Sequence, residues 1–233
     1  MDLSLGFLEN FVFQVSIWAL PVLLAITLHE AAHAHVAWLC GDPTARDLGR
    51  VTLNPIPHIH PFGTIVIPML LIISPLGLVF GFAKPVPVNF ARLRNPRRDM
   101  MLVAVAGPLA NVVLLLISAA LLHLAAIAPG WLGEWLVANL QRSMILNAIL
   151  AVFNMMPIPP LDGGRIVTGL LPYRLAVHYA RLEKYGIFIL VGVLFLLPML
   201  ASQIGVDLGF MNNILRVPFE ALLGAASFLV GLR

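Results

Sequence analysis

The sequence predicts an all-α polytopic membrane protein of about five to six transmembrane helices, with a small β-rich, re-entrant region between the first two core helices. Three observations predict it. Of 233 residues, 60% are hydrophobic and 11% charged, against roughly 45–50% and about 25% in soluble domains. The apolar residues gather into runs of about 20, the length that crosses about 30 Å of hydrocarbon as a helix. The basic residues lie between those runs, where they orient helices in the bilayer, so the net charge of +3 does not imply a nucleic-acid partner. A large water-soluble domain is excluded. Cys40 is the single cysteine, which excludes an intrachain disulfide and a cysteine-based metal site.

The first run covers about 11–39. The N-terminus, MDLSLGFLEN, has no positive n-region, and the run continues without a cleavage pattern into His29 and Glu30, so it reads as a retained helix. Residues 41–63 are rich in turn formers and predict short strands. The next apolar stretch, 62–82, is broken by Pro68, Pro75, Gly77 and Gly81, which suits a hairpin that dips in and returns. Loop charge agrees: Arg46 and Arg50 precede it, Lys84, Arg92, Arg94, Arg97 and Arg98 follow it, and both flanks read as cytoplasmic. In GFAKPVPVN, 81–89, Pro85 and Pro87 alternate as in an extended edge segment, one that an unwound peptide would join by β-augmentation. Further spans are expected at about 99–128, 142–158, 186–203 and 210–231, with Trp131 and Trp135 at the outer interface. The whole, 1–233, reads as one integral-membrane domain: a core of about 11–185 and C-terminal helices of about 186–231.

The strongest chemical signal is HEAAH, 29–33. Positions four apart fall on one helix face, so His29 and His33 can grip one Zn²⁺ with Glu30 beside them, the arrangement of a metalloprotease base. Three ionisable groups within an apolar run also suit a proton or ion relay. A catalytic zinc takes three protein ligands. His35 points to another helix face, His58 and His60 lie in a Pro-rich loop and read as solvent or interface residues, and His123 and His178 are poorly placed. Asp162 is the better third ligand. In NMMPIPPLDGGR, 154–165, three prolines end a helix and two glycines permit a tight turn, although an ordinary helix stop with Asp162 as a cap reads the same way. With the hairpin topology, Asp162 emerges on the membrane side of His29 and His33.

Together HEAAH at 29–33, AGPLAN at 106–111 and NMMPIPPLDGG at 154–164, with GDPTARDLGRVTLNP at 41–55 and GFAKPVPVN at 81–89, resemble the site-2 protease family of intramembrane zinc metalloproteases, the M50 peptidases, in a short subgroup without PDZ or CBS domains. The resemblance implies one Zn²⁺ per chain on His29, His33 and Asp162, with Glu30 as the base that activates water. Asn154 then holds substrate or the developing oxyanion, and Gly107, Pro108 and Asn111 form a packing motif in which Gly107 permits close helix approach. Its implied setting is the lipid bilayer of a prokaryotic plasma membrane, with the active site toward the cytoplasm and a transmembrane protein or peptide as substrate; homo-oligomers are compatible with it. A membrane transporter or metal-handling protein, and a catalytically inactive scaffold, are the competing readings.

Overall fold

A computed structural model of the protein describes residues 2–74, 81–204 and 209–231. Its helices in chain order are α1 (Asp2–Leu39), α2 (Thr44–Asp47), α3 (Ile67–Ile73), α4 (Pro96–Ala126), α5 (Gly130–Asn154), α6 (Asp162–Leu170), α7 (Tyr173–Ala180), α8 (Gly186–Val191), α9 (Leu197–Gln203) and α10 (Gly209–Leu229). Among the described residues, three helices, over Leu8–Leu39, Pro96–Ala126 and Gly130–Asn154, are long and apolar enough to cross a membrane, where apolar runs alone lead to an expectation of five or six spans over the whole chain. The expected 186–203 span is a composite course, α8 and α9 joined by a π-helical turn over Gly192–Leu196. Residues 205–208, before the last expected span, lie outside the described residues.

α1, α4 and α5 form the core. Ile17, Trp18, Val22, Ala25 and Ile26 of α1 are buried with Leu146 of α5, and Leu115 and Ala119 of α4 pack with Met144 and Ala148 of α5 and Ala226 of α10. Ala25, Ala104, Ala119 and Ala148 are completely buried. Small residues let backbones approach closely, which is how helices gain packing where lipid tails are as apolar as leucine. α5 starts at Gly130, twelve residues before the expected 142, so Trp135 is part of the helix and its Nε1 donates to Ser16 Oγ of α1 at 2.9 Å.

The expected β-rich region is not there: among the described residues there is no strand. Residues 41–63 instead fold into α2, a 3-10 turn over Ile56–His58 and the start of a π-helical turn over Pro61–Val66 that runs on into α3. The physical reason is donor supply. Pro55, Pro57, Pro61, Pro85 and Pro87 have no N–H to give a ladder, and neighbouring polar groups close local turns: Thr52 Oγ1 accepts from Asn54 N–H and Asn54 Oδ1 from Ile56 N–H, each at 3.1 Å. Along 81–89 the N–H groups of Phe82, Lys84, Val86 and Asn89 donate to Gly63 O, His58 O, Glu30 Oε2 and Asp42 Oδ2. A peptide strand joining that segment would find few donors left.

The bond from Phe82 N–H to Gly63 O, 3.1 Å, brings the two ends of the 62–82 stretch together. A Cβ on Gly63 would strike the Phe82 ring. Pro68 sits near the start of α3, just after the π-helical turn; Pro75 and Gly77 lie outside the described residues.

Candidate metal centre

His29 and His33 stand one turn apart on α1, and their ring centroids are 4.6 Å apart in an edge-to-face pair. Asp162 reaches them through a turn. Pro157, Pro159 and Pro160 stop α5, and α6 restarts so close to the turn that a Cβ on Gly163 would strike the Met155 and Met156 carbonyls. Asp162 is thus the first residue of α6, and its carboxylate faces α1: Oδ2 is 3.3 Å from His29 Nε2 and 3.3 Å from His33 Nε2, while the two Nε2 atoms are 3.0 Å apart. All three side chains are buried.

Three electron-pair donors meet at this point. His33 Nδ1 lies 2.7 Å from Val103 O, a carbonyl that can only accept, so the neutral ring carries its proton on Nδ1 and presents a bare Nε2. His29 Nδ1 is engaged likewise by Asn111 Oδ1 at 2.6 Å. Asp162 Oδ2 is buried with no hydrogen-bond partner. Burying such lone pairs against one another is unfavourable unless a cation joins them. Ligands about 2.0–2.1 Å from a tetrahedral zinc lie roughly 3.3 Å from each other, close to these separations, and two imidazoles with a carboxylate are a known catalytic donor set. The residues fit zinc.

The surroundings hold the donors in place. A Cβ on Gly107 of α4 would strike His33 Nε2 and His29 Cε1, so Gly107 leaves room for the imidazole pair itself, a tighter demand than the helix approach expected of it. Arg165 Nη1 lies 3.9 Å from Asp162 Oδ1, and its guanidinium sits 5.7 Å from the Phe90 ring centroid and 3.8 Å from Glu183. Glu30, partly buried beside the pair, accepts from Val86 N–H at 2.8 Å.

Of the other sequence candidates, Asn154 turns to its own helix, donating from Nδ2 to Leu150 O at 3.0 Å. His35 is exposed against Trp38, and His60 accepts from Gly63 N–H and faces Phe82. His123 meets Val230 O, and His178 Nδ1 meets Arg174 O at 2.7 Å, so neither is part of the cluster. His58 departs from expectation. It is completely buried, with Nε2 3.1 Å from Thr52 O and Nδ1 unpartnered. Burial pushes its pKa below the ordinary value, with Arg50 acting in the same direction and the Thr52 carbonyl and Glu30 opposing. Asp42, also buried, is held below the usual carboxylate range: burial opposes ionisation, but the Thr44 hydroxyl, the N–H groups of Asn89 and Thr44, and Arg92 outweigh it.

Sequence reasoning passed over the site-facing role of Gly107 and the hydrogen bond of Asn111 to His29, although both lie in AGPLAN. Their four-residue spacing, Val103, Gly107 and Asn111, traces one face of α4 and was the available signal. The Val86 N–H carries no side-chain signal at all.

The model of Peptidase family M50 matches residues 133–199. The chain is 40% identical over 189 residues to the candidate zinc metalloprotease YwhC of Bacillus subtilis (strain 168), covering 77% of this chain and 80% of that protein. It is 30% identical over 200 residues, 84% of this chain and 71% of the relative, to the candidate zinc metalloprotease Rip2 of Mycolicibacterium smegmatis. With Rip2 of Mycobacterium tuberculosis (strain H37Rv) the identity is 35% over 163 residues, 68% of this chain and 57% of the relative. No solved structure matches the chain. Extended similarity to YwhC, the M50 match over α5 to α9, and a buried His-His-Asp cluster on an HExxH helix lead to one conclusion: the chain belongs to peptidase family M50, the site-2 proteases.

Proposed function

We propose that this protein is an intramembrane zinc metalloprotease that hydrolyses peptide bonds in or near transmembrane segments. The single observation that carries the reading is the meeting of His29 Nε2, His33 Nε2 and Asp162 Oδ2 within 3.0–3.3 Å of one another in the interior of the helix bundle. These three residues hold one zinc ion per chain. Zinc bound there supplies Lewis acidity, bringing the pKa of a water to about 7 and polarising a carbonyl. Glu30, the neighbour of His29 on α1, takes the water's proton and returns it to the leaving amine. Its Oε2 is oriented by the Val86 N–H. Asn154, at the end of α5, is assigned to holding substrate or the developing oxyanion, for which its Nδ2 must turn away from Leu150 O.

The whole chain acts as one membrane domain. Its active site faces the cytoplasmic side of a prokaryotic plasma membrane, a reading supported by loop charge: Arg97 of α4 donates to Gly169 O and Leu171 O, which gathers the basic segments 92–98 and 165–184 at the end of the bundle that carries Asp162. Peptide carbonyls in a regular helix are already hydrogen bonded, so the substrate must unwind locally before attack.

The test compares purified wild type with Glu30→Gln on a membrane-spanning peptide, with zinc content measured in both. The reading expects equal zinc and a loss of turnover of at least a hundredfold in the variant. Metal flux into vesicles without peptide cleavage by wild type would overturn it.

A further inference from the structure

Behind the metal centre a chain of buried amides runs into the bundle. Asn111 of α4 and Asn147 of α5 are both completely inaccessible. Asn111 Oδ1 meets His29 Nδ1 at 2.6 Å; its Nδ2 donates to Asn147 Oδ1 at 2.8 Å and to Ala25 O at 3.3 Å. Asn147 Nδ2 donates in turn to Ser143 O at 2.8 Å, and Ser143 Oγ meets Ser118 Oγ at 2.7 Å.

The direction of this chain is decided at its two carbonyls. Ser143 O can only accept, so the Asn147 atom facing it is the NH₂ and its Oδ1 must point at Asn111. Ala25 O can only accept, so the Asn111 atom facing it and Asn147 Oδ1 is again the NH₂, and its Oδ1 must point at His29. An imidazole that meets a bare oxygen at Nδ1 keeps its proton there. Its Nε2 is then left as the electron pair that faces Asp162 and His33.

We infer that Asn111 and Asn147 are positioning residues that together set the ring tautomer and orientation of His29, and so the zinc affinity of the site. Neither touches the reacting atoms. Asn147 acts through Asn111: without its Oδ1 the Asn111 amide loses one of the two acceptors that keep it from flipping. Buried amides in an apolar bundle otherwise serve as interhelical glue, and that role would not discriminate between the two ends of the amide.

This inference rests on the zinc reading above, and the experiment separates the two. Zinc dissociation constants are measured by chelator competition on the full-length protein in detergent, for wild type, Asn111→Leu, Asn111→Asp and Asn147→Leu, together with the thermal midpoint of each metal-free form. Partners behind a metal-bound histidine are worth about 10–100-fold in metal affinity. Asn111→Leu is expected to weaken zinc by that factor and Asn147→Leu by about tenfold, while Asn111→Asp, which keeps one oxygen toward His29 and, protonated on the other, a donor toward Ala25 O and Asn147 Oδ1, stays within about threefold of wild type. If a leucine variant does not fold, the corresponding alanine variant replaces it, so the comparison remains one between side chains with and without the acceptor. Wild-type affinity in folded Asn111→Leu or Asn111→Ala, or equal losses in the leucine and aspartate variants, would overturn the inference. Failure of wild type itself to bind zinc would sink the functional reading instead.

Discussion

The backbone N–H of Val86 stands 2.8 Å from Oε2 of Glu30. The extended 81–89 segment, sequence-distant from α1, therefore lies beside the site and supplies a hydrogen bond that orients the proposed base. Its two ends are tied down separately, Phe82 to Gly63 O at 3.1 Å and Asn89 to Asp42 Oδ2 at 2.6 Å.

Removing that N–H tests its role. Val86→Pro keeps an extended backbone and deletes the donor, whereas Val86→Ala keeps it. A hydrogen bond to a charged group contributes about 1.5–3 kcal/mol, so Val86→Pro is expected to lower kcat on a transmembrane peptide by tenfold or more with zinc content unchanged, and Val86→Ala by less than about threefold. Equal kcat in wild type and Val86→Pro would show that Glu30 needs no such orientation.

Gly107→Ala places a methyl group where the imidazole pair lies. Backbone on one side and the rings on the other leave it nowhere to go, so the rings must shift by an amount that zinc geometry does not tolerate. The expected outcome is a protein retaining less than about a tenth of wild-type zinc by elemental analysis, with its helical circular dichroism intact. Stoichiometric zinc in this variant would refute the packing argument.

Zinc binding stabilises the folded chain in proportion to its affinity, about 2.7 kcal/mol when free zinc is a hundred times its dissociation constant. Chelation is therefore expected to lower the wild-type thermal midpoint and re-addition of zinc to restore it. Asp162→Ala, which lacks the carboxylate oxygen 3.3 Å from both Nε2 atoms, should show no more than a small part of that zinc-dependent shift in a melting experiment.

His58 predicts a pH effect with a definite sign. Its pKa is pushed below the ordinary value of about 6.5 by burial, helped by Arg50 and opposed by the Thr52 carbonyl and Glu30. A histidine kept neutral in the fold contributes stability that is fully present above pH 6.5 and is lost as the pH falls below it, because the unfolded chain then binds the extra proton. The wild-type melting midpoint is expected to fall more steeply between pH 7.5 and about 5.5 than that of His58→Gln. Parallel curves for the two proteins would remove His58 as the cause.

Much of the candidate site is legible in the sequence, because its chemistry is written in side chains at diagnostic spacing. HEAAH places two imidazoles on one face of α1 whatever else the chain does, and the prolines and glycines around Asp162 announce a turn at the end of α5. The β-rich region was misread because turn formers and alternating prolines mark a non-helical course without saying whether partners exist to complete a ladder. In 41–63 and 81–89 the prolines leave too few donors, and carboxylates and single carbonyls take those that remain. His58 was read as a solvent or interface residue from its loop composition, yet the return of the chain at Lys84, whose N–H donates to His58 O at 2.9 Å, helps to bury it.

Composition and periodicity by themselves determined the medium and the donors: a chain with 60% hydrophobic residues must satisfy its backbone in helices within lipid, and its HExxH and LDG segments carry the groups a metal needs. Only the tertiary structure decided which nitrogen of each imidazole is bare, that Gly107 must lack a side chain, and that a peptide N–H at Val86 addresses Glu30. Those are relations between atoms on different elements, set by how α1, α4, α5 and the 81–89 segment pack, and a one-dimensional pattern holds no distances across the fold.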